Sequence, residues 1–240
     1  DATIDFHNYD IIIVIAPLAT CPDKGKTNPK STIFTQDGSF RYTQMAIKSE
    51  LATDPYFQNI IGHELGHGLL SMFFNGHGFY LECDDKSIKA TDCKQQEFMD
   101  LFEIMGGSAK GHFNAMHKDT LGWFLPGDIQ NVTTSGNYTI MPYESMAATG
   151  LPKALRIQRP KLANGFPGAV TITLNSGNPW VYVPKYLYVE YRQPIGYDVG
   201  LDTIGDYTTN VYNGALIHTD MTESTLIAGA PSGDWLYHDV

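Results

Sequence analysis

Apolar residues recur along this chain in two rhythms, and the change between them marks out its organisation. Residues 9–17 (YDIIIVIAP) form a continuous β-branched run closed by proline, the pattern of a strand buried on both faces. A Pro-, Lys-, Gly- and Thr-rich stretch at 18–30 reads as a loop. Residues 31–34 and 40–45 then read as two short strands about Gln36-Asp37-Gly38, a hairpin signal. From Phe57 the period becomes helical: Phe57, Ile60, Ile61, Leu65 and Leu69 share one face, with Pro55 at the entry. Residues 97–107 (EFMDLFEIMGG) mix acidic and apolar positions and break at two glycines. Residues 112–123 (HFNAMHKDTLGW) predict a second helix ending near Gly122.

Beyond Pro126-Gly127 the grammar is short strands separated by Gly, Asn and Pro, as in an all-β sandwich. The clearest are 186–192 and 214–218. In the first, Leu187, Val189 and Tyr191 face one way and Tyr186, Tyr188, Glu190 and Arg192 the other. The pattern gives an α+β protein. Its first domain spans residues 1–125, with a small mixed sheet and two helices. A β-rich, sandwich-like domain is expected over residues 126–240.

Composition narrows the classes of function. A chain of 240 residues with 42% hydrophobic and 18% charged content has enough apolar surface for real cores. The net charge of −10, without a run of Lys or Arg, argues against nucleic acid or an anionic membrane as partner. The longest apolar run, 11–16, is too short for a transmembrane segment. No signal peptide is expected within these residues, since position 1 is Asp and no charged-then-apolar start follows. Of three cysteines, Cys83 and Cys93 flank a polar loop, where a disulfide is expected and would place the protein in a secreted or extracellular setting. Cysteine ligation of zinc is the rival, but the pair lacks the CxxC spacing. Cys21 is left over.

The chemistry concentrates in the first helical stretch, where residues 63–67 read HELGH. Residues i and i+4 lie one above the other on a helix, so His63 and His67 can turn ring nitrogens toward one metal ion. Glu64 follows the first ligand, where its carboxylate reaches a metal-bound water rather than the metal. Zinc with three protein ligands keeps a fourth position for water and lowers its pKa to about 7. Glu64 then serves as general base when that water attacks a peptide carbonyl. A buried helix that merely carries two histidines is the alternative.

A third ligand is needed, and His77 is the nearest histidine downstream. A helix running on to Phe74 would carry the chain roughly 10 Å past His67, at about 1.5 Å per residue. His77 therefore requires the helix to end within a turn of His67 and the chain to loop back. Gly68 weakens the helix there, and Asn75-Gly76 is a turn-forming pair. His112, His117 and several carboxylates compete for the role.

Three stretches together, HELGH at 63–67, EFMDLFEIMGG at 97–107 and HFNAMHKDTLGW at 112–123, resemble the gametolysin family of metzincin zinc peptidases. YLYVEYRQPIGYD and GALIH further on are similar to that family's C-terminal β region. The resemblance implies a metzincin-like catalytic domain and a secreted zinc endopeptidase acting on protein or peptide substrates. It also implies a methionine turn beneath the metal, formed by Met105, where the residues alone suggest an ordinary core methionine. Two departures stand out. Leu70 and Phe73 occupy the positions where metzincins usually carry glycine and the third histidine, and a short insertion before His77-Gly-Phe-Tyr would reconcile the patterns. The helix and strand that usually precede the first strand are not recognisable.

Two rival functions stay open: a gluzincin-like peptidase whose third ligand is a carboxylate such as Glu97 or Glu103, and a non-catalytic binding or adhesion module. Retention of Glu64 argues against the second. Asp198, Asp202 and Asp206 are candidate Ca²⁺ ligands, although their spacing is not that of an EF-hand and a solvated loop is the simpler reading. Asn131-Val132-Thr133 and Asn137-Tyr138-Thr139 are glycosylation sequons. His117 and Lys118 read as structural. Residues 40–45, polar and just ahead of the motif helix, are expected to form an exposed edge strand that pairs with substrate.

Overall fold

The computed structural model describes residues 4–17, 23–35, 38–55, 57–70, 77–83, 92–107, 111–159, 170–173, 179–182, 185–203, 208–220 and 234–237. The fold is mixed α+β, with two mixed sheets and few helices among these residues. The chain falls into two compact units, Asp1–Asn75 and Gly76–Val240. Strands on both sides of residue 125 share one sheet of the second unit.

The first unit is built on strands β1 (Ile11–Ala16), β2 (Gly25–Thr35) and β3 (Gly38–Lys48), followed by helix α1 (Phe57–Leu70). The expected hairpin is present: β2 and β3 pair antiparallel, from Thr35 opposite Gly38 back to Gly25 opposite Ile47. It is longer than expected, since 25–30, read as loop, is strand. The misleading signal was Pro29, which lies where the register shifts between Asn28 and Ser31. A proline is tolerated at such an irregularity because no ladder N–H is required of it.

The third strand corrects the edge-strand expectation. β3 is central in the order β1-β3-β2, parallel to β1 on one side and antiparallel to β2 on the other. Both its edges are occupied, so 40–45 cannot add a substrate strand, and the sheet edge next to the motif helix is β2. The first strand is corrected too. Among the described residues β1 pairs with β3 alone, and Ile13, Val14 and Ile15 are exposed rather than buried on both faces. Among the described residues, Met45 and Ile47 of β3, with Ile60 and Leu70 of α1, are the buried apolar residues of this unit.

The second unit carries β4 (Gly78–Cys83), β5 (Asp92–Glu97), helix α2 (Ala115–Thr120), β6 (Ile129–Val132), β7 (Ala154–Gln158) and β8 (Val170–Thr173). Then come β9 (Pro179–Tyr182), β10 (Tyr186–Glu190), helix α3 (Thr208–Asn213), β11 (Leu216–Thr219) and β12 (Asp234–Tyr237). Its strands form one mixed sheet in the order β6-β7-β10-β11-β12-β4-β5-β8-β9. The C-terminal strands thus continue the sheet of β4 and β5. Helix α2 begins at Ala115, later than expected, because the Asn114 side chain accepts from the His117 N–H and caps it. A small apolar core joins Phe102, Leu201, Val211 and Leu216. Cys21, Gln36-Asp37, Phe73, the Asn75-Gly76 pair, residues 84–91 and Asp206 lie outside the described residues.

Candidate metal centre

Helix α1 carries the motif as its spacing requires. His63 and His67, one turn apart, stand with ring centroids 4.9 Å apart and planes at 86°. Both rings are half-buried. Two imidazoles side by side on one helix face, neither sealed in the core, are a donor pair that suits a borderline-soft cation such as Zn²⁺. The helix runs through Gly68, which lies against the Thr43 side chain of β3, and on to Leu70, three residues past His67.

Glu64 is buried, with only 6% of its surface exposed, and faces β2. Thr27 Oγ1 donates toward Glu64 Oε2 at 2.7 Å and also lies 2.9 Å from the Glu64 carbonyl oxygen. Burial pushes the Glu64 carboxyl above the ordinary carboxylate value, and the charge of Asp23 acts the same way; the Thr27 hydrogen bond and His63 oppose the shift. A carboxylate raised in this manner is a better proton acceptor than a solvated one. Thr27 was not legible in the sequence. It sits in the stretch read as loop, and no periodic signal marks it.

The second unit holds the remaining expected residues. His77 directly precedes β4, is half-buried, and packs against Phe98 with ring centroids 3.8 Å apart and planes tilted by 40°. The next residue, Gly78, donates its N–H to the Met105 carbonyl at 2.8 Å, so the strand beginning after His77 is tied to the turn carrying Met105. Met105 is fully buried. The turn is wound so tightly that a Cβ at Gly106 would fall 1.6 Å from the Asp100 carbonyl oxygen, which only glycine permits. Register places Cys83 directly opposite Cys93 across β4 and β5. Directly opposed antiparallel residues have Cα atoms about 4.5–5.5 Å apart, within the span of a disulfide.

Around that turn lies a buried polar network. Glu103 accepts from the N–H groups of Met105 (3.3 Å) and Asn114 and from His117 Nδ1 (2.8 Å). Asp100 accepts from the Phe102 N–H and pairs with His218 Nε2 at 3.0 Å. Arg192 donates to Glu190 at 3.1 Å, to Asp198 at 2.7 Å and to the Phe102 carbonyl at 2.9 Å. Burial and the charge of Asp100 push the Glu103 carboxyl well above its usual value, against the pull of Arg192 and His218.

This geometry bears on the competitors for the third ligand. His117 is fully buried on Glu103, and both oxygens of Glu103 are engaged inside the unit. His112 sits beside Lys118, and burial followed by that charge pulls its imidazole down to about 4. The structural reading of His117 and Lys118 fits their partners, Lys118 lying 3.0 Å from Glu144 Oε1. Asp198, a candidate Ca²⁺ ligand, is buried and accepts from Arg192 and from the His112 N–H. The side chain of Glu97 lies outside the described residues. No protein-family model, no curated protein and no solved structure matches this chain.

Proposed function

We propose that this protein is a secreted zinc-dependent endopeptidase similar to the gametolysin family, with Glu64 as its general base. The observation that carries this reading is the arrangement on α1. Two imidazoles lie side by side on one helix face, and between them in sequence stands a buried carboxylate with a raised affinity for protons. A purely structural helix has no use for that combination, and neither does a non-catalytic module.

His63 and His67 would hold the metal, and His77 is the proposed third ligand. Bound zinc lowers the pKa of a coordinated water and polarises the substrate carbonyl. The chain's own part is proton transfer and orientation. Glu64 takes a proton from the attacking water, whose electron pair forms the new bond to the peptide carbonyl carbon. Glu64 then returns the proton to the leaving amine nitrogen as the C–N bond breaks. Met105, tied through its carbonyl to the residue after His77, serves as the platform of the methionine turn.

The test is cleavage of casein and gelatin by the purified protein, with and without a chelator, alongside metal analysis. About one zinc per chain and chelator-sensitive cleavage are expected. His77→Ala is expected to lose bound zinc while Glu103→Gln retains it, which separates a histidine from a carboxylate third ligand. A metal-free protein with no cleavage would end the reading.

A further inference from the structure

The sheet of the first unit does more than support the motif helix. Gly25 and Thr27 are two apart on β2 and therefore point to the same face of the sheet. That face meets Glu64. The Thr27 hydroxyl lies 2.7 Å from Glu64 Oε2 and 2.9 Å from the Glu64 main-chain oxygen. At Gly25 a Cβ would fall 2.7 Å from both Cγ and Oε1 of the same side chain. One residue grips the carboxylate and the other leaves room for it.

We infer that Gly25 and Thr27 form a dedicated seat for the Glu64 carboxylate and act as positioning residues for the base. The inference rests on the peptidase reading and adds to it a division of labour between the two carboxylate oxygens. Oε2 is tied to Thr27. Oε1, lying over Gly25, is left as the oxygen that takes the proton from water. A glutamate has three side-chain torsions, and fixing one oxygen against its own helix backbone removes most of that freedom before substrate arrives. Preorganisation of this kind acts on the chemical step and leaves substrate affinity alone.

The seat also explains a feature of the fold. β2 begins at Gly25 and not at Ser31, and the additional residues bring Gly25 and Thr27 alongside α1. A strand starting at Ser31 would pair with β3 but leave the carboxylate of Glu64 without its partner.

The experiment measures kcat, KM and bound zinc for the wild type and three variants on one fluorogenic peptide. Thr27→Val keeps the shape and removes the donor; kcat is expected to fall about tenfold, the worth of one hydrogen bond, with KM and zinc content unchanged. Thr27→Ser restores the hydroxyl and is expected within about threefold of wild type. Gly25→Ala meets the Glu64 side chain and no backbone, so it is expected to fold and keep zinc while forcing the carboxylate off its seat and lowering kcat by at least a similar factor. A Thr27→Val kcat within twofold of wild type overturns the inference. So does equal impairment of Thr27→Val and Thr27→Ser, or loss of zinc together with activity in all three variants, since each marks a merely structural strand. An inactive wild type sinks the peptidase reading and this inference with it, an outcome distinct from an active wild type indifferent to the substitutions.

Discussion

The two units bury ionisable groups in opposite ways. In the first, Glu64 is covered and, among the described residues, has one hydroxyl on its carboxylate, and the adjacent histidines are half-exposed. In the second, Asp100, Glu103, Glu190, Arg192, Asp198, His117 and His218 are all sealed from solvent and bound to one another or to backbone N–H groups. A buried charge with several partners is locked, and removing one partner strands the others. A buried charge with one partner keeps the capacity to gain and lose a proton. Multiplicity of partners therefore separates the groups that hold this protein together from those proposed to do chemistry.

The sharpest way to break that contrast is to remove one residue of each kind. Glu64→Ala is expected to lower proteolysis by about 10²–10⁴-fold while bound zinc and melting temperature hold, because only the proton acceptor is lost. Zinc loss or near-normal cleavage in that variant would reverse the role assigned to Glu64. Arg192→Met is expected to do the opposite, destabilising the fold by about 3–5 kcal/mol in urea unfolding, because Glu190 and Asp198 are left as buried, uncompensated carboxylates. A stability within 1 kcal/mol of wild type, roughly the effect of an exposed pair, would mean the network contributes little.

Smaller effects sharpen the picture. Mass spectrometry under non-reducing conditions is expected to find Cys83 joined to Cys93, and Cys83→Ser to cost about 2–3 kcal/mol through the freed loop. Two free thiols would contradict both the bond and the extracellular setting. The smallest expected effect is a pH dependence from His112. Its folded-state value of about 4 lies below the usual value for histidine, because burial and Lys118 disfavour the imidazolium. The unfolded chain therefore binds a proton first as pH falls. Stability from this residue is complete above about pH 7 and declines between about pH 6.5 and 4. His112→Asn is expected to flatten that part of the wild-type stability profile, measured as the difference between the two proteins. An unchanged slope would show that the linkage lies elsewhere, with Glu144 the nearest candidate.

The two units also differ in how readily the sequence discloses them. HELGH states its geometry outright, since a spacing of four residues on a helix admits one arrangement of His63 and His67. The hairpin of β2 and β3 is announced by Gln36-Asp37-Gly38. The network of the second unit is disguised. Along β10 the apolar residues Leu187 and Val189 are half-buried, whereas Tyr188, Glu190 and the following Arg192 are the deeply buried set. A hydrophobicity rule would place the apolar face inward. The observed order reverses it, because ion pairs to Asp198 and hydrogen bonds to main-chain groups 80–90 residues away satisfy the charges.

What the sequence determines by itself is local: the helical spacing of His63, Glu64 and His67, the strand-forming runs, and the glycines that mark the Met105 turn. These follow from periodicities and torsional preferences spanning only a few residues. Only tertiary structure decides that β3 is central and β2 lies at an edge, that Ile13 to Ile15 are exposed, and that Glu103 is engaged internally. It alone brings Thr27 to Glu64, 37 residues apart, because the side chain that fixes a carboxylate is chosen by the packing of a strand against a helix. No pattern of hydrophobic and polar positions encodes which hydroxyl will arrive there.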